Sequence, residues 1–334
     1  MMNAVMPTFD TQACAEQVLD ALRERGFQHA QVSVSETARC ELNIAHNEPS
    51  LLRSNDSRKL SATGIVDGRR ASSEGNDLSA RGVATLVDQL WDAARSAPQD
   101  EANAVSAGQH ARVTKGPHQA DPAALTAALR ALLDWRAAHT PTLMIEEALA
   151  AHVHSRSHTL TSGGSRIACD IGWCELSVFG LAREGSTTSS FNYAGGVADA
   201  LADVPQAFGV ARMMRELTQQ VHTEALGQRF TGDVVLSPAA VDDLLSWLMD
   251  QLSDGPLIDG SSLYRQRVGE LIASPLLTLH SRYDGPGCLP VTGDAFVAPP
   301  VTLLDAGRLT QLTPSLYGSR KTGLPHAPLA ATGA

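Results

Sequence analysis

Aromatic side chains make up only 4% of this 334-residue chain. That scarcity argues against the stacking platforms that hold single-stranded nucleic acids. Positive charge is in deficit as well: 26 Lys and Arg face 36 Asp and Glu, a formal charge of −10. A broad phosphate-neutralising surface is thereby excluded, and no nucleic-acid partner is expected. No run approaches the ~20 uncharged apolar residues of a membrane helix, so no membrane partner is expected either. The opening MMNAVMPTFDTQACAEQ has no cationic stretch followed by an apolar one, and no secretory leader is read there. Cysteines are few, odd in number and scattered: Cys14, Cys40, Cys169, Cys174 and Cys288. A disulfide framework does not fit, and Cys169 and Cys174 lack the two-residue spacing of a redox or zinc-knuckle pair. All five read as reduced thiols of a cytoplasmic protein. Glycine-rich dinucleotide and phosphate loops, a G-x-S-x-G elbow and an H-E-x-x-H helix are all absent.

Periodicity supplies most of what is there. Thr11 to Arg25 repeats Cys14, Val18, Leu19 and Leu22 at helical spacing and stops at Gly26. The period then falls to two. Gln31–Ser35 and Cys40–Ile44 alternate, Leu51–Ser54 and Leu60–Val66 read as two further short strands, and Asp67-Gly68 is a hairpin turn. Gly82 to Ala97 returns to a helix with Val83, Leu86, Val87, Leu90 and Trp91 on one face. Pro98 to Ala120 is polar and reads as a linker. Asp121-Pro122 starts a helix to about His139, and Leu143–Thr161 becomes strand-like toward its end. After a Ser162-Gly163-Gly164 turn, Ile167–Leu181 is the returning strand. A long helix over Pro205–Leu226, a strand over Gly232–Leu236 and a helix over Pro238–Leu252 follow, then short strands and turns. Without regular β-α-β alternation the class is α+β. It comprises an N-terminal helix with an antiparallel meander, then a second mixed part with a largely antiparallel sheet, a barrel being one way to close it.

The polar run His152-Val153-His154-Ser155-Arg156-Ser157-His158 is the main chemical candidate. On a strand, His152, His154, Arg156 and His158 share a face. Histidines at i and i+2 can share a zinc ion, but Arg156 would repel a cation, and a solvated or cleft-lining strand explains the run without metal. Glu146 and Glu147 are adjacent and point apart, so they form no working acid–base pair. Asp242-Asp243 and Asp199/Asp203 read as solvated carboxylates, Gly285-Pro286-Gly287 as a turn, and Gly318–Gly323 as a flexible loop.

The second half carries an ordered succession of motifs. Gly232-Asp233-Val234-Val235-Leu236-Ser237-Pro238 leads into Ala239–Leu245, then Asp259-Gly260-Ser261-Ser262-Leu263 and Arg267–Leu279. Asp284-Gly285-Pro286-Gly287 and Leu303-Leu304-Asp305-Ala306-Gly307-Arg308-Leu309 complete it. This succession resembles the TldD/PmbA family, also called modulators of DNA gyrase. The helix, the meander and Gly64–Ser73 agree with it, and the resemblance spans about residues 28–323.

The resemblance implies a dimerising two-domain peptidase assembly that trims leader or unfolded peptides. In it a TldD-type subunit holds zinc on an H-E-x-x-x-H helix, and a PmbA (TldE)-type subunit lacks that motif. Here the corresponding positions read Ser246, Trp247 and Gln251, so this chain looks like the PmbA type. No catalytic, cofactor-binding or metal residue is then assigned to it, and zinc is expected in the partner. That partner would be a TldD-like subunit or a second copy, with a peptide as substrate. A scaffold without turnover and a stand-alone metallopeptidase are the alternatives. Domains are expected over 1–120, with the linker at 98–120, and over 121–334. The latter would be a TldD/PmbA-type domain shortened at its C-terminus, with Asp294–Pro300 lacking the family's acidic pair.

Overall fold

The computed structural model describes residues 9–225, 227–229 and 231–330. Residues 1–8 of the stretch on which the leader reading was made, and Leu226, where the long helix was expected to end, lie outside the described residues.

Helix α1 (Thr11–Arg25) begins where the Asp10 carboxylate accepts from the Ala13 amide and ends at Gly26, at φ 111°. Three long strands follow: β1 (His29–Ala45), β2 (Glu48–Val66) and β3 (Arg69–Gly75). The two short strands expected over 51–66 are one strand of 19 residues. Its polar middle, poor in strand propensity, is held by the ladder to β1 and by cross-strand ion pairs Arg53–Glu41 and Arg58–Glu36. Next come α2 (Ala80–Ser96), β4 (His110–Lys115), α3 (Pro122–His139), β5 (Leu143–Thr161), β6 (Arg166–Glu184), β7 (Thr187–Thr188) and β8 (Asn192–Ala198). Helix α4 (Val210–Gln219) is shorter than expected, because Phe208 and Gly209 at positive φ break the helical path before it.

These strands build one open sheet in the order β3-β2-β1-β5-β6-β4. All pairs are antiparallel except β4 with β6. Both β4 and β8 share the outer edge of β6: β4 along Arg166–Ile171 and β8 along Cys174–Gly180. The fold is α+β with a mostly antiparallel sheet. The segment 98–120, read as a linker, contributes β4, and the sheet continues across residue 120 through the β1–β5 pair. The physical reason is the parallel ladder: residues 110–115 are polar, yet they satisfy their backbone groups along β6.

The C-terminal unit has α5 (Pro238–Gln251), α6 (Asp254–Asp259), β9 (Leu279–Ser281), β10 (Val301–Asp305), β11 (Arg308–Leu309) and α7 (Leu316–Thr322). Leu248, Leu252, Leu257, Leu304, Leu309 and Leu312 form its core. The strand expected over Gly232–Leu236 is absent. No described residue pairs with it, and an unpaired strand has no ladder to hold it. Gly318–Gly323, read as a loop, lies largely in α7, capped by Ser315 and ended by Gly323 at φ 72°. Lys115 Nζ donates to the Tyr283 and Gly285 carbonyls, and Tyr317 reaches Asp100, tying this unit to the sheet. Among the described residues no helix is long and apolar enough to cross a membrane.

Candidate functional site

Both helix pairs lie on one face of the sheet. Helices α1 and α2 bury Val32, Val34, Leu60 and Leu160 beneath them, while α3 and α4 bury Cys40, Ala148, Ala150, Leu176 and Val178. Strand alternation puts His152, His154, Arg156 and His158 on that same face, in the stretch between the two cores. The predicted shared face is therefore real, and it floors the gap between two helical layers.

The four side chains do not converge on one point. His152 is buried, and its Nε2 hydrogen-bonds the Pro117 carbonyl at 2.8 Å. His158 Nδ1 meets the Thr11 hydroxyl of α1 at 2.8 Å. Burial, and then the nearby Arg112 charge, hold the His158 imidazole below its usual value, which favours the neutral ring. Arg156 pairs with Glu36, which also takes Arg58 at 3.0 Å. His154 turns to Asp170 of β6, Nε2 to Oδ1 at 2.6 Å. His118, on the loop before α3, stacks on His154 with ring centroids 4.9 Å apart and places its Nε2 3.8 Å from the same carboxylate oxygen.

Two glycines set that loop down. A Cβ on Gly116 would stand 1.9 Å from the Gly172 carbonyl oxygen, and one on Gly172 1.6 Å from the Pro117 oxygen. Only a bare backbone on each side lets the loop rest on β6 between β4 and β8. Beside this cluster opens a cleft of about 340 Å³, its lining including Asp10, Thr11, Arg112, Arg156, His158 and Asp170.

The remaining sequence candidates stay apart. Glu146 pairs with His46 at 3.0 Å, while Glu147 is exposed across a bulge in the β5 ladder. Asp242 and Asp243 are exposed on α5, and Asp203 sits at φ 46° in a turn rather than on a helix with Asp199. Gly285-Pro286-Gly287 lies in a turn whose Gly285 carbonyl receives Lys115. All five cysteines are free, and burial pushes the Cys169 and Cys174 thiols up, away from nucleophilic use. Sequence reading missed His118 and Asp170, one placed in a linker and the other in the middle of a strand.

The C-terminal helix α5 was the other decisive stretch. Ser246 is exposed on it, and Trp247 is half-exposed with its ring edge-on to Tyr264 at 6.3 Å. The Gln251 side chain accepts from the Leu263 amide at 3.1 Å. A zinc peptidase needs neutral imidazoles as ligands and a carboxylate to take the proton of bound water. A hydroxyl, an indole and an engaged amide do not fit that ion.

Residues 230–333 match the family model of the PmbA/TldA metallopeptidase C-terminal domain. That stretch is therefore similar to the C-terminal domain of the PmbA/TldA metallopeptidases. Solved structures share its fold. TldE from Thermococcus kodakarensis is 18% identical, with 94% of this chain and 72% of that one covered and a TM-score of 0.73. A proposed modulator of DNA gyrase from Bacteroides thetaiotaomicron is 18% identical over 98% and 77%, with a TM-score of 0.80. A counterpart from Thermotoga maritima is 13% identical over 95% and 74%, with a TM-score of 0.69. No curated protein matches in sequence.

Proposed function

We propose that this chain is a member of the TldD/PmbA family and, within it, a TldE-like, non-catalytic subunit of a zinc-dependent peptidase assembly that processes leader or unfolded peptides in the cytoplasm. The observation that carries the reading is α5 itself. A metallopeptidase-type C-terminal domain presents Ser246, Trp247 and Gln251 where its relatives of the zinc-bearing type present their ligands and base. The exposed apolar residues of this unit support a partner surface: Val235 is 96% exposed, Leu276 97%, and Leu244 and Trp247 more than half or about half. Large apolar side chains left this exposed are what a covering partner chain would bury. The zinc, and with it the activated water, would come from a TldD-like subunit. This chain's part would be to complete the peptide-binding assembly.

Reconstitution tests it. The chain alone should leave an unfolded peptide intact. Mixed with a homologue bearing H-E-x-x-x-H, it should raise that homologue's cleavage rate and co-elute with it. Cleavage by this chain alone that is lost on chelation would overturn the proposal in favour of a stand-alone enzyme. Co-elution with no change in rate would overturn it in favour of a scaffold.

A further inference from the structure

His118, His154 and Asp170 come from three separate elements, a loop, β5 and β6, and direct ligand atoms at one point. Their candidate donor atoms all lie within 4.8 Å of one another. Both imidazoles aim Nε2 at Oδ1 of Asp170, at 2.6 Å and 3.8 Å. A tetrahedral zinc ion with bonds near 2.1 Å spaces its ligand atoms roughly 3.4 Å apart. The present spacing brackets that figure, so small rotations of His118 and Asp170 would suffice.

We propose that His118, His154 and Asp170 form a binding site for a divalent transition-metal ion such as zinc. Two neutral imidazoles and one carboxylate are a donor set suited to zinc, copper, nickel or ferrous iron rather than to calcium or magnesium. The charge objection raised by Arg156 does not hold in the folded chain, because Glu36 takes that guanidinium. The surroundings also look built. Gly116 and Gly172 let the loop approach, and His152 holds the Pro117 carbonyl next to His118 in the chain. His118 is about one-third exposed and Asp170 similar, so an ion can reach them and water can complete the shell.

The ion would fasten the loop 116–118 to the middle of β6, in the space between β4 and β8. It would be a structural clamp at the side of the cleft. The inference is independent of the peptidase reading, since it concerns the sheet and not α5.

The test is isothermal titration of the chelator-treated full chain with Zn²⁺ alone, paired with thermal melts. The native chain should take about one equivalent and melt at higher temperature with zinc. His118→Ala, which removes an exposed ring and leaves the fold, should weaken binding about tenfold or more and abolish the thermal shift. Asp170→Asn should do the same. His222→Ala, at an exposed ion pair with Glu184, should change neither. Absence of saturable binding in the native chain would overturn the site. So would binding that survives both His118→Ala and Asp170→Asn undiminished, since the ion would then sit elsewhere.

Discussion

Gly172→Ala is the sharpest mechanical probe of the sheet. The new methyl would begin 1.6 Å from the Pro117 oxygen and 2.5 Å from its carbonyl carbon. Both obstacles are backbone, so no rotamer change relieves them. Strand and loop would have to part by roughly 2 Å to reach ordinary contact. At that separation the 2.8 Å hydrogen bond from His152 to Pro117 is lost. His152 is only 4% exposed, so its ring nitrogen would be left without water. Overpacking costs about 1–3 kcal/mol, and an orphaned buried polar group about 1–3 kcal/mol more. Removing backbone freedom from the unfolded chain returns at most about 1 kcal/mol. The net expectation is a loss of about 3 kcal/mol, read from urea unfolding as a lower midpoint with an unchanged slope. Gly255→Ala is the control: a Cβ there meets nothing within 4 Å, and the change should be neutral or slightly stabilising. A Gly172→Ala protein as stable as the native chain within about 0.5 kcal/mol would refute the close approach of loop and strand.

Other expectations follow from the same contacts. Glu41 is almost fully covered between Arg39 and Arg53, and the Arg39 hydrogen bond, with that of Arg53, holds its carboxyl below the usual range. Its contribution is therefore present above about pH 4.5 and is lost as pH falls below that. Glu41→Gln should cost about 1 kcal/mol at neutral pH and progressively less in acid, which paired urea titrations at two pH values would show. Asp100 is lowered to about 2 by Lys321, the Ala102 amide and Tyr317. Its tether to α7 should hold down to about pH 4 and release toward pH 2, and Asp100→Asn should speed hydrogen exchange in α7 at neutral pH. Leu252→Ala empties a fully buried position in the C-terminal core and should cost about 2–5 kcal/mol by chemical denaturation.

Helices α1, α2, α3 and α5 were the most legible part of the sequence because their signals are local, whereas α6 and α7 went unread and α4 was expected to be longer. Gly26 closes α1, Asp121-Pro122 opens α3, and Ser237-Pro238 opens α5. Strand lengths were less legible. The polar stretch Asn55–Lys59 has no strand signal of its own and is extended only because β1 lies beside it. Val234–Leu236 shows the converse: it reads as a strand and has no described neighbour. The polar face of β5 could be read from alternation, yet its chemistry could not. Asp170 was within reach, since the Ser162–Gly164 turn pairs Arg156 with Asp170 and sets His154 opposite Gly172. His118 was not, because only the packing of two glycines brings its loop onto β6.

The measurement that tests the central claim most directly is peptide cleavage by this chain alone, by a zinc-bearing TldD-type homologue alone, and by the two mixed. The account predicts no turnover from the first, and a rate for the mixture above that of the homologue alone. Chelator-sensitive cleavage by the isolated chain, or a mixture no faster than the homologue, would contradict it.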